Sequence, residues 1–130
     1  MTTSGEEDEV IAANAAFYRA VESLDGDLLD AIVAREEPVR VVHPGWPVVS
    51  GRAAVVASWE RIFDNAGVMQ FTIVDPEAHI EGDVAWVICT ERLTSVQGGR
   101  VVEGLVATTN LFRREDGEWR IVHHHGSPVM

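Results

Sequence analysis

Two pairs of turn residues, Gly98-Gly99 and Asp116-Gly117, separate long runs of alternating apolar and polar residues, and they constrain this chain more than any other feature. Two-residue loops of this kind join antiparallel strands and fix their register, since a slip of one residue would turn every side chain to the other face. Counting back from Asp116-Gly117, Glu115 faces Glu118, Phe112 faces Ile121, Asn110 faces His123 and Thr108 faces His125. Counting from Gly98-Gly99 puts Cys89 beside Thr108 and Val87 beside Asn110. One face then carries Ala85, Val87, Cys89, Glu91, Leu93, Val106, Thr108, Asn110, Phe112, Trp119, Ile121, His123 and His125. The other carries Val84, Trp86, Ile88, Thr90, Leu105, Ala107, Thr109, Leu111, Val122 and His124. A β-bulge within these strands would exchange the two faces beyond it.

The first half reads as helical. Ser4 and Glu7 form a capping-box pattern, and Val10, Asn14, Phe17, Val21 and Leu24 recur at helical spacing. Asp25-Gly26-Asp27 breaks that helix, Asp27 caps a second short one over 28–36, and Pro38 lies just past its end. Residues 39–43 read as a strand and Pro44-Gly45-Trp46-Pro47 as a loop. A third helix follows, capped by Ser50, stopped by Gly67 and burying Val55, Val56, Trp59, Ile62 and Phe63. Strands are expected over 69–75 and 77–81, ahead of the two hairpins. Three helices followed by a meander indicate an α+β fold, a single domain over 1–130 with the helices packed on a curved, mainly antiparallel sheet and residues 1–9 frayed. Both sheet faces are too apolar to meet water. The helices cover one, and a second copy of the chain is the natural cover for the other, giving a homodimer through Trp86, Ile88, Leu105, Leu111 and Val122.

The net charge is −11, with ten arginines and no lysine, which speaks against nucleic acid or an anionic membrane as a partner. The acidic start does not resemble a secretory signal, no apolar run reaches the ~20 residues of a bilayer span, and the lone Cys89 fits a reducing compartment, so a cytoplasmic protein is expected.

The closing stretch WRIVHHHGSPVM admits three readings: a purification-tag remnant, a metal site, or a strand whose side chains line a cavity. The unbroken alternation favours the strand. His123, His125, Asn110 and Thr108 then form a polar cluster on an inner face, which costs several kcal/mol unless the groups bond to one another, to water or to a ligand. An internal ligand pocket explains them; a closed hydrogen-bond network joining the last strands explains them as well. Glu91 falls within reach of His125 as an orienting carboxylate, or else is solvated at the sheet end. Three histidines, His43, His123 and His125, suit zinc geometrically, but the spacing is weak evidence and no metal or cofactor is expected. Cys89 reads as a small core residue on the inner face. Tyr18, Trp59 and Trp46 are candidate walls of the cavity, Trp46 because a loop indole between two prolines needs a reason to be there.

In VRVVHPGWPVVSGRAAVVASWERIF and TNLFRREDGEWRIVHHHGSP the sequence resembles the SnoaL-like branch of the NTF2-like superfamily, which includes ketosteroid isomerase. The resemblance runs from the first helix to His125 and implies a conical cystatin-like α+β fold, a deep pocket between helices and sheet, and frequently a dimer across the outer face. Function follows less directly, because that cone hosts isomerases, cyclases, dehydratases and binding modules. His43 stands where ketosteroid isomerase has its proton-shuttling aspartate, Thr108 near its oxyanion aspartate, and Tyr18 near its oxyanion tyrosine after a one-residue shift. Two of three signature groups therefore differ, and steroid isomerisation itself is not implied. Two functions remain. One is a cofactor-free proton-transfer enzyme of isomerase, cyclase or dehydratase type acting on a small apolar carbonyl compound, with His43 as base and His123, His125 and Asn110 as donors. The other is a dimeric ligand-binding or accessory protein with the same pocket and no chemistry.

Overall fold

The computed structural model describes residues 4–130. In chain order the elements are α1 (Ser4–Glu22), α2 (Gly26–Ile32), β1 (Arg40–Val42), β2 (Val49–Ser50), α3 (Arg52–Asn65), β3 (Val68–Glu81), β4 (Val84–Gln97), β5 (Arg100–Glu115) and β6 (Glu118–Pro128). The strands form one mixed sheet in the order β2-β1-β6-β5-β4-β3, parallel only at β1 against β6. Three helices on this sheet make the α+β fold that the sequence predicts. No helix among the described residues is long and apolar enough to cross a membrane.

Local chemistry accounts for the helix boundaries. Helix α1 buries Val10, Asn14, Phe17, Tyr18 and Val21 along one stripe, and it ends where Leu24 takes a positive φ of 56°. It includes residues 4–9, which the sequence reading assigns to a frayed tail, and Ser4, read there as its cap, lies within the helix. Asp25, not Asp27, caps α2, its carboxylate accepting from the Asp27 amide at 2.9 Å. That helix stops at Ile32 and not near residue 36, because Val33 turns extended, bridges Ile121, and lets the Ala34 amide donate to the Ile121 carbonyl at 2.9 Å. Gly51 rather than Ser50 occupies the cap of α3, with φ at 97° and no side-chain cap, and Ala66 rather than Gly67 ends it. The two expected strands over 69–75 and 77–81 are a single strand, β3, with a bulge between Val74 and Glu77 that accommodates Pro76 and the positive φ of Asp75.

Register decides what the interior contains. The β4–β5 pairing is as predicted, with Cys89 opposite Thr108 and Val87 opposite Asn110. Between β5 and β6 the pairing is as predicted at Glu115/Glu118 and Phe112/Ile121, and then a bulge intervenes: Leu111 pairs with His123 and leaves Val122 as the extra residue. Beyond it Asn110 faces His124 and Thr108 faces Gly126. The expected inward placement of His123 and His125 is thereby corrected, and His124 takes the interior position.

Candidate functional site

The inner face of the sheet brings together Cys89 and Glu91 from β4, Thr108 and Asn110 from β5, and His124 from β6, all buried. Helix α1 lowers Asn14, Phe17 and Tyr18 onto them, and α3 adds Ser58 and Trp59. A continuous hydrogen-bond chain runs through this layer. The Tyr18 hydroxyl donates to Glu91 Oε2 at 2.5 Å, and Tyr18 Oη accepts from Asn110 Nδ2 at 3.1 Å. Asn110 Nδ2 also donates to Asn14 Oδ1 at 2.8 Å, and Asn110 Oδ1 lies 2.6 Å from His124 Nδ1. Cys89 Sγ lies 3.8 Å from the Tyr18 hydroxyl. Thr108 Oγ1 is buried without a hydrogen bond of proper geometry, although it lies close enough to Glu91 to favour the charged carboxylate.

His43, directly after β1, forms a second centre. Its ring meets Trp59 at 4.5 Å and Trp46 at 4.8 Å between centroids, both edge to face. Nε2 lies 2.9 Å from Ser58 Oγ, and the Ser58 hydroxyl itself donates to the Val55 carbonyl at 2.7 Å. With the serine proton so engaged, His43 Nε2 donates and its Nδ1 is the acceptor. Trp59 joins the two centres, since its ring also lies 5.5 Å from that of His124. The Pro44 loop can close over this end because Gly126 has no side chain: a Cβ there would come within 2.9 Å of Val106 and 3.1 Å of Pro44.

Burial governs the electrostatics. It lowers His43 to about 4 and, with His43, His123 and His125 adding repulsion, lowers His124 to about 3, so both rings are neutral. Burial pushes Tyr18 up, with Glu91 and Cys89 adding to it, and the phenol keeps its proton. It raises Glu91 as well, opposed by the bond from Tyr18 and the nearness of Thr108, and it raises the Cys89 thiol. These are neutral imidazoles and a protonated phenol next to a carboxylate in a place closed to water, an arrangement suited to exchanging protons with a bound molecule.

Of the residues singled out from sequence, His43, Asn110, Tyr18, Trp59, Thr108, Cys89 and Glu91 are in the interior, and Trp46 is half-buried at its edge. His123 and His125 lie together on the outer face, ring centroids 6.1 Å apart, His123 paired with Arg40 and His125 on the rim of an open concavity of about 640 Å³. The three-histidine set with His43 is therefore not assembled, and Glu91 contacts Tyr18 and not His125. Asn14, Ser58 and His124 were missed. Asn14 gave a signal, as a polar residue in an apolar helical stripe; Ser58 and His124 gave none. A small opening lined by Phe17, Val55, Trp59, Ile121 and His124 reaches this interior, with a volume of about 10 Å³.

The profile of the SnoaL-like domain matches residues 10–130. A protein from Streptomyces avermitilis, provisionally named a dehydratase of the NTF2-like family, is 39% identical, with 99% of each chain covered and a TM-score of 0.93. A protein from Thiobacillus denitrificans, provisionally named a calcium/calmodulin-dependent protein kinase type II association domain, is 33% identical over 92% of this chain and 94% of its own, with a TM-score of 0.80. The F-box protein SKIP8 of Arabidopsis thaliana is 26% identical over 121 residues, 93% of this chain, which spans about half of that protein's length.

Proposed function

This chain belongs to the SnoaL-like family of the NTF2-like superfamily, and from that premise we propose that it is a small-molecule enzyme carrying out cofactor-independent proton transfer, of dehydratase or isomerase type, on a small, mostly apolar carbonyl compound. The observation that carries this reading is the pair of neutral buried imidazoles, His43 and His124, set on either side of Trp59 next to an amide and phenol network. His43 is the base. Its Nδ1 takes the proton next to the substrate carbonyl, and the Asn110 amide, one of whose bonds to Asn14 and Tyr18 the substrate would replace, is the donor that meets the charge growing on oxygen. Burial makes the resulting imidazolium unfavourable, so the proton passes on readily to a leaving hydroxyl or a neighbouring carbon. Trp46, Tyr18, Trp59, Thr108, Cys89 and Glu91 wall the site, and His124 takes the interior position that the sequence gave to His123 and His125. A reducing, cytoplasmic setting fits a buried Cys89 thiol.

The experiment is deuterium exchange and water elimination on a panel of small cyclic β-hydroxy ketones, followed by proton NMR. His43→Ala is expected to lower the rate about 10²- to 10⁴-fold while the circular dichroism spectrum stays that of the native fold. An unchanged rate in the folded variant removes His43 from the mechanism. The second reading is a ligand-binding module without chemistry, favoured by the narrow opening and by a network already bonded to itself. It gains if panel members bind and none reacts.

The outer sheet face is proposed to meet a second copy of the chain. Ile88 is 51% exposed and Leu105 42%, beside the half-buried Trp86, Leu111 and Val122, and such a patch is covered at least cost by itself across a two-fold axis. Sedimentation should give a dimer for the native chain and a monomer for Ile88→Arg; a native monomer at micromolar concentration ends the proposal.

A further inference from the structure

The chain Glu91–Tyr18–Asn110–His124 has a direction as well as a connectivity. Each link contains one proton in a position that the neighbouring link determines. Tyr18 has a single hydroxyl proton, and its Oη lies 2.5 Å from Glu91 Oε2, so a charged Glu91 must receive it. Tyr18 Oη can then only accept from Asn110, which turns the Nδ2 group of that amide toward Tyr18 and Asn14. The other end of the amide, Oδ1, is left facing His124 Nδ1 at 2.6 Å, and a carbonyl oxygen can only accept. His124 Nδ1 must therefore carry the proton, and Nε2 is left with a free lone pair. Every step is forced by the one before it.

From this geometry we infer that Glu91 is a positioning residue: acting through Tyr18 and Asn110, it fixes His124 as the Nδ1–H tautomer and so presents Nε2 as an acceptor to the interior. Without the charge of Glu91 the constraint disappears. Tyr18 is then free to donate to Asn110 Oδ1, the amide of Asn110 can turn together with that of Asn14, and its NH₂ can donate to His124 Nδ1, which moves the ring proton to Nε2. The groups facing Glu91 are Tyr18 from α1, Cys89 from β4 and Thr108 from β5. None of these is a cation, so the Tyr18 hydroxyl, 2.5 Å from Oε2, is the group that favours the carboxylate against the burial that raises it. The ring of His124 is itself held in place by Phe17 at 5.2 Å and Trp59 at 5.5 Å, so the tautomer, and not the ring position, is the variable that remains.

The consequence for turnover rests on the proton-transfer reading above, but the tautomer does not, and it can be measured with no substrate. Imidazole nitrogen NMR on the ¹⁵N-labelled native protein at pH 8 distinguishes the two tautomers by the shifts of the protonated and bare nitrogens, with the His124 signals identified by their loss in His124→Gln. The expected result is Nδ1–H in excess by about tenfold or more, the ratio a charge-assisted hydrogen bond sustains. In Glu91→Leu and Tyr18→Phe the excess should fall to a mixture or invert. A native Nε2–H signal overturns the inference at once, whatever the variants do. An undiminished Nδ1–H excess in either folded variant overturns it too, because Glu91 would then be structural only. Neither result bears on His43→Ala turnover, so the two ideas fail separately.

Discussion

Phe17→Ala should lose about 3–5 kcal/mol of folding stability, measured as a shift in the urea unfolding midpoint. Phe17 is 1% exposed and lies where the helical layer meets the sheet. Its ring meets Tyr18 at 5.0 Å, Trp59 at 5.7 Å and His124 at 5.2 Å, so truncation removes the aromatic surface against which both centres of the site are packed. The cavity left behind has no mobile neighbour to fill it: Trp59 is fixed between two imidazoles, and the Tyr18 hydroxyl is tied to Glu91 and Asn110. Phe17→Leu, which leaves a smaller void, should lose less. A loss below about 1 kcal/mol for the alanine variant, far under the range for a buried aromatic, would mean that the interior collapses around the gap and is not the rigid layer described above.

Stability should also fall as the pH drops from about 6.5 toward 4. His43 is held near 4 and His124 near 3, against an ordinary value of 6.5, chiefly by burial. Below 6.5 the unfolded chain binds a proton at each ring that the folded protein refuses, so each ring removes about 1.4 kcal/mol of stability per pH unit until its folded value is reached. By pH 5 the two together amount to about 4 kcal/mol, a large part of the stability of an ordinary domain. Their contribution is complete above pH 6.5, where both states hold neutral rings. Glu91 works in the opposite sense: its raised carboxyl keeps a proton longer in the folded state, so above its ordinary 4.5 its burial costs more as the pH rises, and acid recovers part of what the histidines lose. Urea midpoints at pH 7.5, 6 and 5 measure the sum. His43→Asn should flatten the profile by the share of one ring, and a midpoint that does not move between pH 7.5 and 5 would show that the imidazoles are not buried and neutral.

The parts of this molecule that were legible in the sequence are those set by repetition and by turn chemistry. The Gly98-Gly99 loop gave the pairing of Cys89 with Thr108 correctly because nothing interrupts the ladder between them. The same counting from Asp116-Gly117 held to Phe112 and failed at Asn110, since the extra residue is Val122, a β-branched residue as ordinary in a regular strand as in a bulge. The short second helix was overestimated for a related reason: Val33 and Ala34 suit a helix locally, and only the bridge to Ile121, distant in sequence, draws them out of it. Trp46 stands out in the sequence because a loop indole between two prolines needs a reason to be there, and His43 because it holds the place of the proton-shuttling aspartate in the isomerase the chain resembles. Ser58 was not, as its significance lies entirely in a bond to a ring fifteen positions away. Asn14 was visible as an anomaly in an apolar stripe, but its partner depends on the packing of α1 across the sheet.

The bulge at Val122 gives β6 two possible reading frames against β5. In the frame it adopts, one imidazole is turned inward opposite Asn110 and two are turned outward. Were the ladder regular, His123 and His125 would point inward and His124 outward. Because the three consecutive residues are all histidine, a slip between frames would change how many rings the interior holds and yet never leave it without one. Over this short tract the sequence protects a chemical group, not a particular residue, against an error of alignment.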